Sequence, residues 1–230
     1  MATARMPAPG TPPDAHPPKA VLFDCDGVLA DSEALAAITV AEDLSERFWP
    51  VTPEECQELF LGRAVPDMMP LIEQRFGRLP DDWPALLSAR LTARMARDVV
   101  AVPGALETLR RLRAAGLPIA CASNSSRAEL RAKLGRLGIA GLFEGRVFSF
   151  EDVARPKPYP DMYEAAAAAC GAAPAECVVV EDSLPGIRAG RAAGCRVLAL
   201  VWEMPEALLR AQGAEPFRHM DELPALLGAA

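Results

Sequence analysis

The chain has 230 residues, 51% of them apolar and 24% charged, with a formal net charge of −7. That length supports one large domain or two small ones around a sizeable core, and the acidic balance disfavours general nucleic-acid binding, which needs a positive footprint. No apolar run reaches the roughly 18 residues a membrane helix requires, so no membrane partner is expected.

The chain opens on a Pro- and Ala-rich stretch without an apolar h-region, read as a disordered tail over residues 1–18 and not as a secretory signal. The six cysteines are scattered with no C-x-x-C pair, and there are two histidines. A zinc site is therefore not expected, and a reducing cytoplasm is. "KAVLFD", Lys19–Asp24, is a short continuous apolar run of the kind that forms a strand covered on both faces. From Ser32 to Ala101 only helical patterns occur: Glu33–Phe48, Pro53–Phe60, Val65–Phe76 and Trp83–Val99. An all-helical insert after the first strand predicts a separate cap over residues 32–101, joined through Leu29–Ser32 and Val100–Pro103.

Strand and helix then alternate. A helix runs between Pro103 and Gly116 with Leu106, Leu109 and Leu112 on one face. "LPIACAS", Leu117–Ser123, is a strand. "SRAELRAKLGRLG" is a helix with Leu130, Leu134 and Leu137 inward and Arg127, Arg131 and Lys133 outward. A weaker strand follows at Gly145–Ser149, then a helix over Asp161–Cys170, the strand "CVVVED" (Cys177–Asp182), a helix over Leu184–Ala193 and the strand "CRVLALV" (Cys195–Val201). This alternation predicts an α/β fold, a parallel sheet with helices on both faces, built from residues 19–31 and 102–230. The cluster Arg110, Arg111 and Arg113 reads as a solvated helix face. No exposed apolar helix stands out, and a monomer is expected.

Ligands of open α/β sheets bind outside the carboxyl ends of the strands. Asp24 and Asp26 stand at such an end and, by strand alternation, point the same way with Cys25 opposite. Ser123, Glu181 and Asp182 end two further strands, and Lys157 follows the weaker one by a short loop. Singly, each has a plainer reading as a cap, a turn former or a surface lysine. Together they suit phosphoryl transfer. Clustered carboxylates without histidine or thiolate neighbours fit a hard cation such as Mg²⁺, which offsets the repulsion of the acid pair and holds phosphate beside a carboxylate nucleophile.

The set "DCDGVLADSE", "ASN", "RPKPYPD" and "VVVEDSLPGIRAGRAAG" resembles the four motifs of the haloacid dehalogenase superfamily. More closely it resembles the branch with a helical cap after the first motif, which includes β-phosphoglucomutase-like and phosphoglycolate-phosphatase-like proteins. The similarity spans Lys19 to Leu227. It implies a Rossmann-like core and an enzyme in which Asp24 attacks phosphorus and becomes an aspartyl-phosphate. Asp26 then protonates the leaving oxygen and activates water. Ser123 and Lys157 hold the phosphoryl group, with Asn124 and the Gly27 backbone nearby. Mg²⁺ is held by the Asp24 carboxylate, the Asp26 carbonyl and Asp182, with Glu181 orienting metal-bound water. "FLGRAVPD" matches the cap loop that faces the site, making Gly62 and Arg63, with Glu33, the specificity candidates. Pro156 stands where the family often has glycine and offers no backbone N–H.

The resulting expectation is a Mg²⁺-dependent phosphatase of a small phosphorylated metabolite, a sugar phosphate. The alternative is a phosphosugar mutase of the β-phosphoglucomutase type. Such mutases usually carry a histidine just beyond the "DS" dipeptide, and "DSEALAAITVAED" has none. A phospho-receiver signalling domain fits less well, because its acidic pair precedes the phosphorylated Asp and it lacks a large helical insert.

Overall fold

A computed structural model describes residues 17–47, 49–60, 65–202 and 204–228. The tail expected over residues 1–18 falls almost wholly outside them. The first part of the chain forms β1 (Ala20–Phe23), β2 (Ala30–Asp31), α1 (Glu33–Arg47), α2 (Pro53–Phe60), α3 (Val65–Phe76), α4 (Trp83–Asp98) and β3 (Val100–Ala101). The remainder alternates: α5 (Ala105–Ala114), β4 (Ile119–Ala122), α6 (Arg127–Arg136), β5 (Val147–Phe148), α7 (Asp161–Ala169), β6 (Cys177–Glu181), α8 (Leu184–Ala193), β7 (Arg196–Leu200), α9 (Glu206–Ala211), β8 (Glu215–Phe217) and α10 (Leu223–Leu226).

Among the described residues the main sheet has six strands, all parallel, in the order β5-β4-β1-β6-β7-β8. The α/β expectation therefore holds. Successive side chains of a strand face opposite ways, and the two layers follow that alternation. Val21, Phe23, Ile119, Cys121, Val178 and Val180 pack with Leu109 and Leu112 of α5 and Leu130 and Leu134 of α6. Ala20, Leu22, Ala120, Ala122 and Val179 pack on the other face with Met162 and Tyr163 of α7 and Ile187 of α8. The order reverses direction at β1, flanked by β4 and β6. The ends of these three strands form the kind of crevice in which α/β sheets bind ligands.

Helices α1–α4 enclose their own core of Leu44, Ile72, Trp83 and Leu87. Asp43 is buried within it and accepts the indole N–H of Trp83 at 2.8 Å, which satisfies both groups inside an apolar interior. The chain leaves and re-enters the α/β layer side by side: β2 and β3 pair antiparallel, Ala30 opposite Ala101 and Asp31 opposite Val100.

Three local expectations need correction. Val100–Ala101 form a strand in a stretch read as all-helical, because two residues carry no legible period. A sixth strand, β8, was not anticipated: it is three residues long, contains Pro216 and lies at the sheet edge, where proline is tolerated. Most consequentially, Lys133 is not outward. It is 1% exposed, whereas Arg127 and Arg131 are exposed as expected. Residues 130, 133, 134 and 137 form an i, i+3, i+4, i+7 set, so helical geometry puts Lys133 on the same face as the leucines.

Candidate active site

Asp24 follows β1, and its backbone N–H donates to Val180 O at 2.9 Å, fixing it between β1 and β6. Asp182 follows β6. Between them lies Lys157, whose ammonium donates to Asp24 Oδ1 at 2.7 Å and to Glu181 Oε1 at 2.6 Å. All four side chains are buried.

Glu181 is anchored at every lone pair within reach. Oε1 also accepts the Tyr163 hydroxyl at 2.7 Å. Oε2 accepts Ser183 Oγ at 2.9 Å and the backbone N–H groups of Asp182 and Ser183, each at 3.1 Å. Burial pushes the Glu181 carboxyl up, but the Lys157 ammonium and these donors outweigh it and hold it below the usual range. Burial likewise disfavours the Lys157 charge, and Asp24 and Glu181 more than restore it.

Asp24 and Asp182 differ. Burial, with Lys157 only partly opposing it and Glu181 and Asp26 adding to it, pushes the Asp24 carboxyl up to about 8. Asp182 is raised well above its ordinary value by burial and by the neighbouring Glu181 and Asp24. None of the side-chain hydrogen bonds among the described residues reaches the Asp182 carboxylate. Ligand oxygens of Asp24, Glu181 and Asp182 lie within 4.8 Å of one another. Three carboxylates in a buried pocket, with one ammonium among them, offer hard oxygen donors and excess negative charge that suit a divalent cation of the Mg²⁺ type. Gly27 makes room for this arrangement: its φ is +68°, and a Cβ there would collide with the Asp182 carboxylate.

Asp26 lies beside this group in a web of its own. Ser123 Oγ donates to Oδ2 at 3.0 Å and Ser125 Oγ donates to the same oxygen at 2.9 Å. The Ser32 hydroxyl and the Lys133 ammonium both donate to Oδ1. Burial pushes the Asp26 carboxyl up, but Lys133 and the Ser32 and Ser125 hydroxyls prevail and bring it down to about 2. The Asn124 amide is engaged by the Lys157 backbone on both sides, accepting its N–H at 3.1 Å and donating to its carbonyl at 3.1 Å.

Asp24, Asp26, Asn124, Lys157 and Asp182 line a cavity of about 800 Å³, which Ser88 and Thr92 of α4 also wall. The structure thus brings together Asp24, Asp26, Gly27, Ser123, Asn124, Lys157, Glu181 and Asp182, and Glu33 lines the cavity. Gly62 and Arg63 lie outside the described residues. Lys133, Ser125, Ser32 and Tyr163 were not anticipated. For Lys133 the helical period was available as a signal; for Tyr163, only its place one turn into a helix.

An α/β sheet with four helices inserted after its first strand, and a lysine with paired carboxylates at the strand ends, defines a class of hydrolase. The family model described as haloacid dehalogenase-like hydrolase matches residues 18–194, and the chain belongs to that family. Among its relatives is hexitol phosphatase A of Escherichia coli (strain K12), 37% identical over 79% of this chain and 82% of the relative. Another is 6-phosphogluconate phosphatase of the same organism, 26% identical over 90% of this chain and 94% of the relative. A solved HAD family hydrolase from Deinococcus radiodurans R1, with bound phosphate and sodium, is 37% identical. It superimposes with a TM-score of 0.76 over 94% of this chain and 97% of that one. A mutant of CbbY from Rhodobacter sphaeroides, in complex with xylulose-(1,5)bisphosphate, is 26% identical with a TM-score of 0.79, covering 91% of this chain and 99% of that one.

Proposed function

We propose that the chain is a Mg²⁺-dependent phosphatase that releases phosphate from a small organic phosphate, a sugar phosphate, through a phosphorylated Asp24. The observation that carries this reading is the buried Lys157 ammonium shared between Asp24 and Glu181, with Asp182 adjacent, beside a cavity of about 800 Å³. The relatives named for hexitol and 6-phosphogluconate support the sugar-phosphate part of it.

Mg²⁺ would be held by the Asp24 and Asp182 carboxylates and the Asp26 carbonyl, and when bound it supplies the positive charge that lets both carboxylates ionise beside a phosphoryl group. Glu181 contributes through Lys157, since both of its oxygens are already taken by protein donors. Lys157 steadies Asp24 and presents positive charge to the phosphoryl oxygens. An oxygen of Asp24 attacks phosphorus and the bond to the leaving oxygen breaks. Asp26, which Lys133 and the hydroxyls hold ionised until it takes up a proton from solvent, gives that proton to the leaving oxygen and later takes one from water as the aspartyl-phosphate is hydrolysed; general acid–base help of this kind is worth roughly 10²- to 10⁴-fold. The cap excludes bulk water from the cavity. We also read the chain as a monomer, which sedimentation would test.

A panel of hexose, hexitol, gluconate and glycolate phosphates, assayed with and without Mg²⁺ for free phosphate and for isomerised ester, tests the proposal. Mg²⁺-dependent phosphate release from a sugar phosphate is expected. Isomerised ester without free phosphate would indicate a mutase instead.

A further inference from the structure

We propose that Asn124 is a positioning residue: its amide holds the Lys157 backbone and so sets where the ammonium meets Asp24 and the phosphoryl group. This rests on the role given to Lys157 above and adds a residue to it. Lys157 lies in the link between β5 and α7, outside any strand or helix, and stands between Pro156 and Pro158. Neither proline has a backbone N–H, so Lys157 carries the one backbone donor in the run 156–158. That N–H donates to Asn124 Oδ1 at 3.1 Å, and Asn124 Nδ2 donates to the Lys157 carbonyl at 3.1 Å. The two bonds match the pair that opposed residues exchange in an antiparallel ladder. One side chain thus does for this link what a neighbouring strand does inside a sheet. An amide offers a donor and an acceptor in one plane, whereas a carboxylate offers no donor. The pairing also fixes which way round the amide sits, because a backbone N–H needs an oxygen opposite it and a carbonyl needs an N–H.

Asn124 is itself carried by the sheet. The N–H of Ser123, its neighbour at the end of β4, donates to Phe148 O of β5 at 3.0 Å, and the Ser123 hydroxyl accepts the N–H of Ser125 at 3.0 Å. Support therefore runs from the end of β4 through the amide to the Lys157 backbone. From there it follows a four-carbon stem to Asp24 at 2.7 Å and Glu181 at 2.6 Å. The two carboxylates grip the ammonium, and Asn124 grips the other end of the residue. A contact to substrate is the plainer use for an amide that lines the cavity. Here both polar ends of the amide are turned to the Lys157 backbone. Its removal should therefore misplace the charge, and a misplacement of about 1 Å can cost about 10²-fold in rate.

The test is a double-mutant cycle in the full chain with Mg²⁺, on the sugar phosphate that wild type turns over fastest. In Asn124→Ala, kcat should fall about 10- to 100-fold while KM changes less than about 3-fold. The same substitution made in Lys157→Gln, which has no ammonium left to place, should change the rate of a single turnover less than about 3-fold. Hydrogen exchange of the Lys157 N–H, followed by NMR, gives a readout that needs no activity. Asn124→Ala should speed it at least about tenfold, while amides in β1 and β6 keep their wild-type rates. If Lys157→Gln does not fold or turn over, the split between kcat and KM and the exchange rate decide. A raised KM with kcat unchanged, an equal loss in both backgrounds, or an unchanged exchange rate would overturn the positioning role and leave the phosphatase reading intact. A wild type that releases no phosphate from any sugar phosphate would instead overturn that reading and this inference with it.

Discussion

The Lys157 ammonium stands 2.7 Å from Asp24 Oδ1, and both side chains are buried. A cation so placed, shared with Glu181 at 2.6 Å, neutralises part of an acidic cluster that would otherwise repel its own substrate. Lys157→Met removes that charge and leaves two buried carboxylates facing each other. Breaking a buried pair in this way costs about 3–5 kcal/mol, which denaturant unfolding would measure, and turnover should drop by at least about 10²-fold.

Asp24→Asn keeps the shape of the side chain and removes both its charge and its nucleophilic oxygen. Turnover should vanish while the thermal midpoint stays level or rises, because one negative charge leaves a crowded buried group. Residual turnover at a tenth of wild type, in a preparation free of contaminating phosphatase, would contradict the assignment.

The pH response of stability follows from the carboxyl groups. Asp24 is raised from its ordinary 3.8 to about 8, so its contribution to stability is complete below the lower value and lost as pH rises through the higher one. Asp182 is raised in the same sense. Asp26 and Glu181 are lowered; their contributions are already complete at neutral pH and do not oppose this trend. The metal-free protein should therefore melt at a lower temperature at pH 8 than at pH 6, and Mg²⁺ should raise the midpoint more at pH 8, where it competes with fewer protons. Calorimetric scans at the two pH values, with EDTA or with Mg²⁺, read both effects.

Gly27→Ala probes the same group without touching a carboxylate. The positive φ of +68° strains any side chain, and the added Cβ would push into Asp182. Mg²⁺ affinity, measured by titration calorimetry, should weaken by about tenfold or more. An unchanged affinity would mean that Asp182 has room to move and that Gly27 serves only the turn.

How much of this was legible in the sequence depends on the length of each feature. The long, doubly covered strands β1, β4, β6 and β7 announce themselves as apolar runs, and the acidic and basic residues at their ends mark the crevice. β8 and the β2–β3 pair are too short for periodicity, and Pro216 argues against a strand anywhere but an edge. The partners of each site residue were less legible than the residues themselves. The bond from the Ser123 hydroxyl to Asp26 links two strand ends and has no signal in either run. Lys133 was placed outward because lysine is ordinarily solvated, although its helical register lies with the leucines. Charge preference and helical period conflict at this position, and the buried carboxylate that decides between them lies more than a hundred residues away in the chain.

Covalent capture of the phosphoryl group tests the central claim most directly. The enzyme would be mixed with excess sugar phosphate and Mg²⁺, quenched in acid within the first turnover, digested and analysed by mass spectrometry. The account predicts one phosphoryl group on the peptide that carries Asp24, fragmenting to Asp24 itself and absent from Asp24→Asn. A phosphoryl group on any other residue would contradict it, as would full turnover of that substrate with no phosphorylated peptide at any quench time.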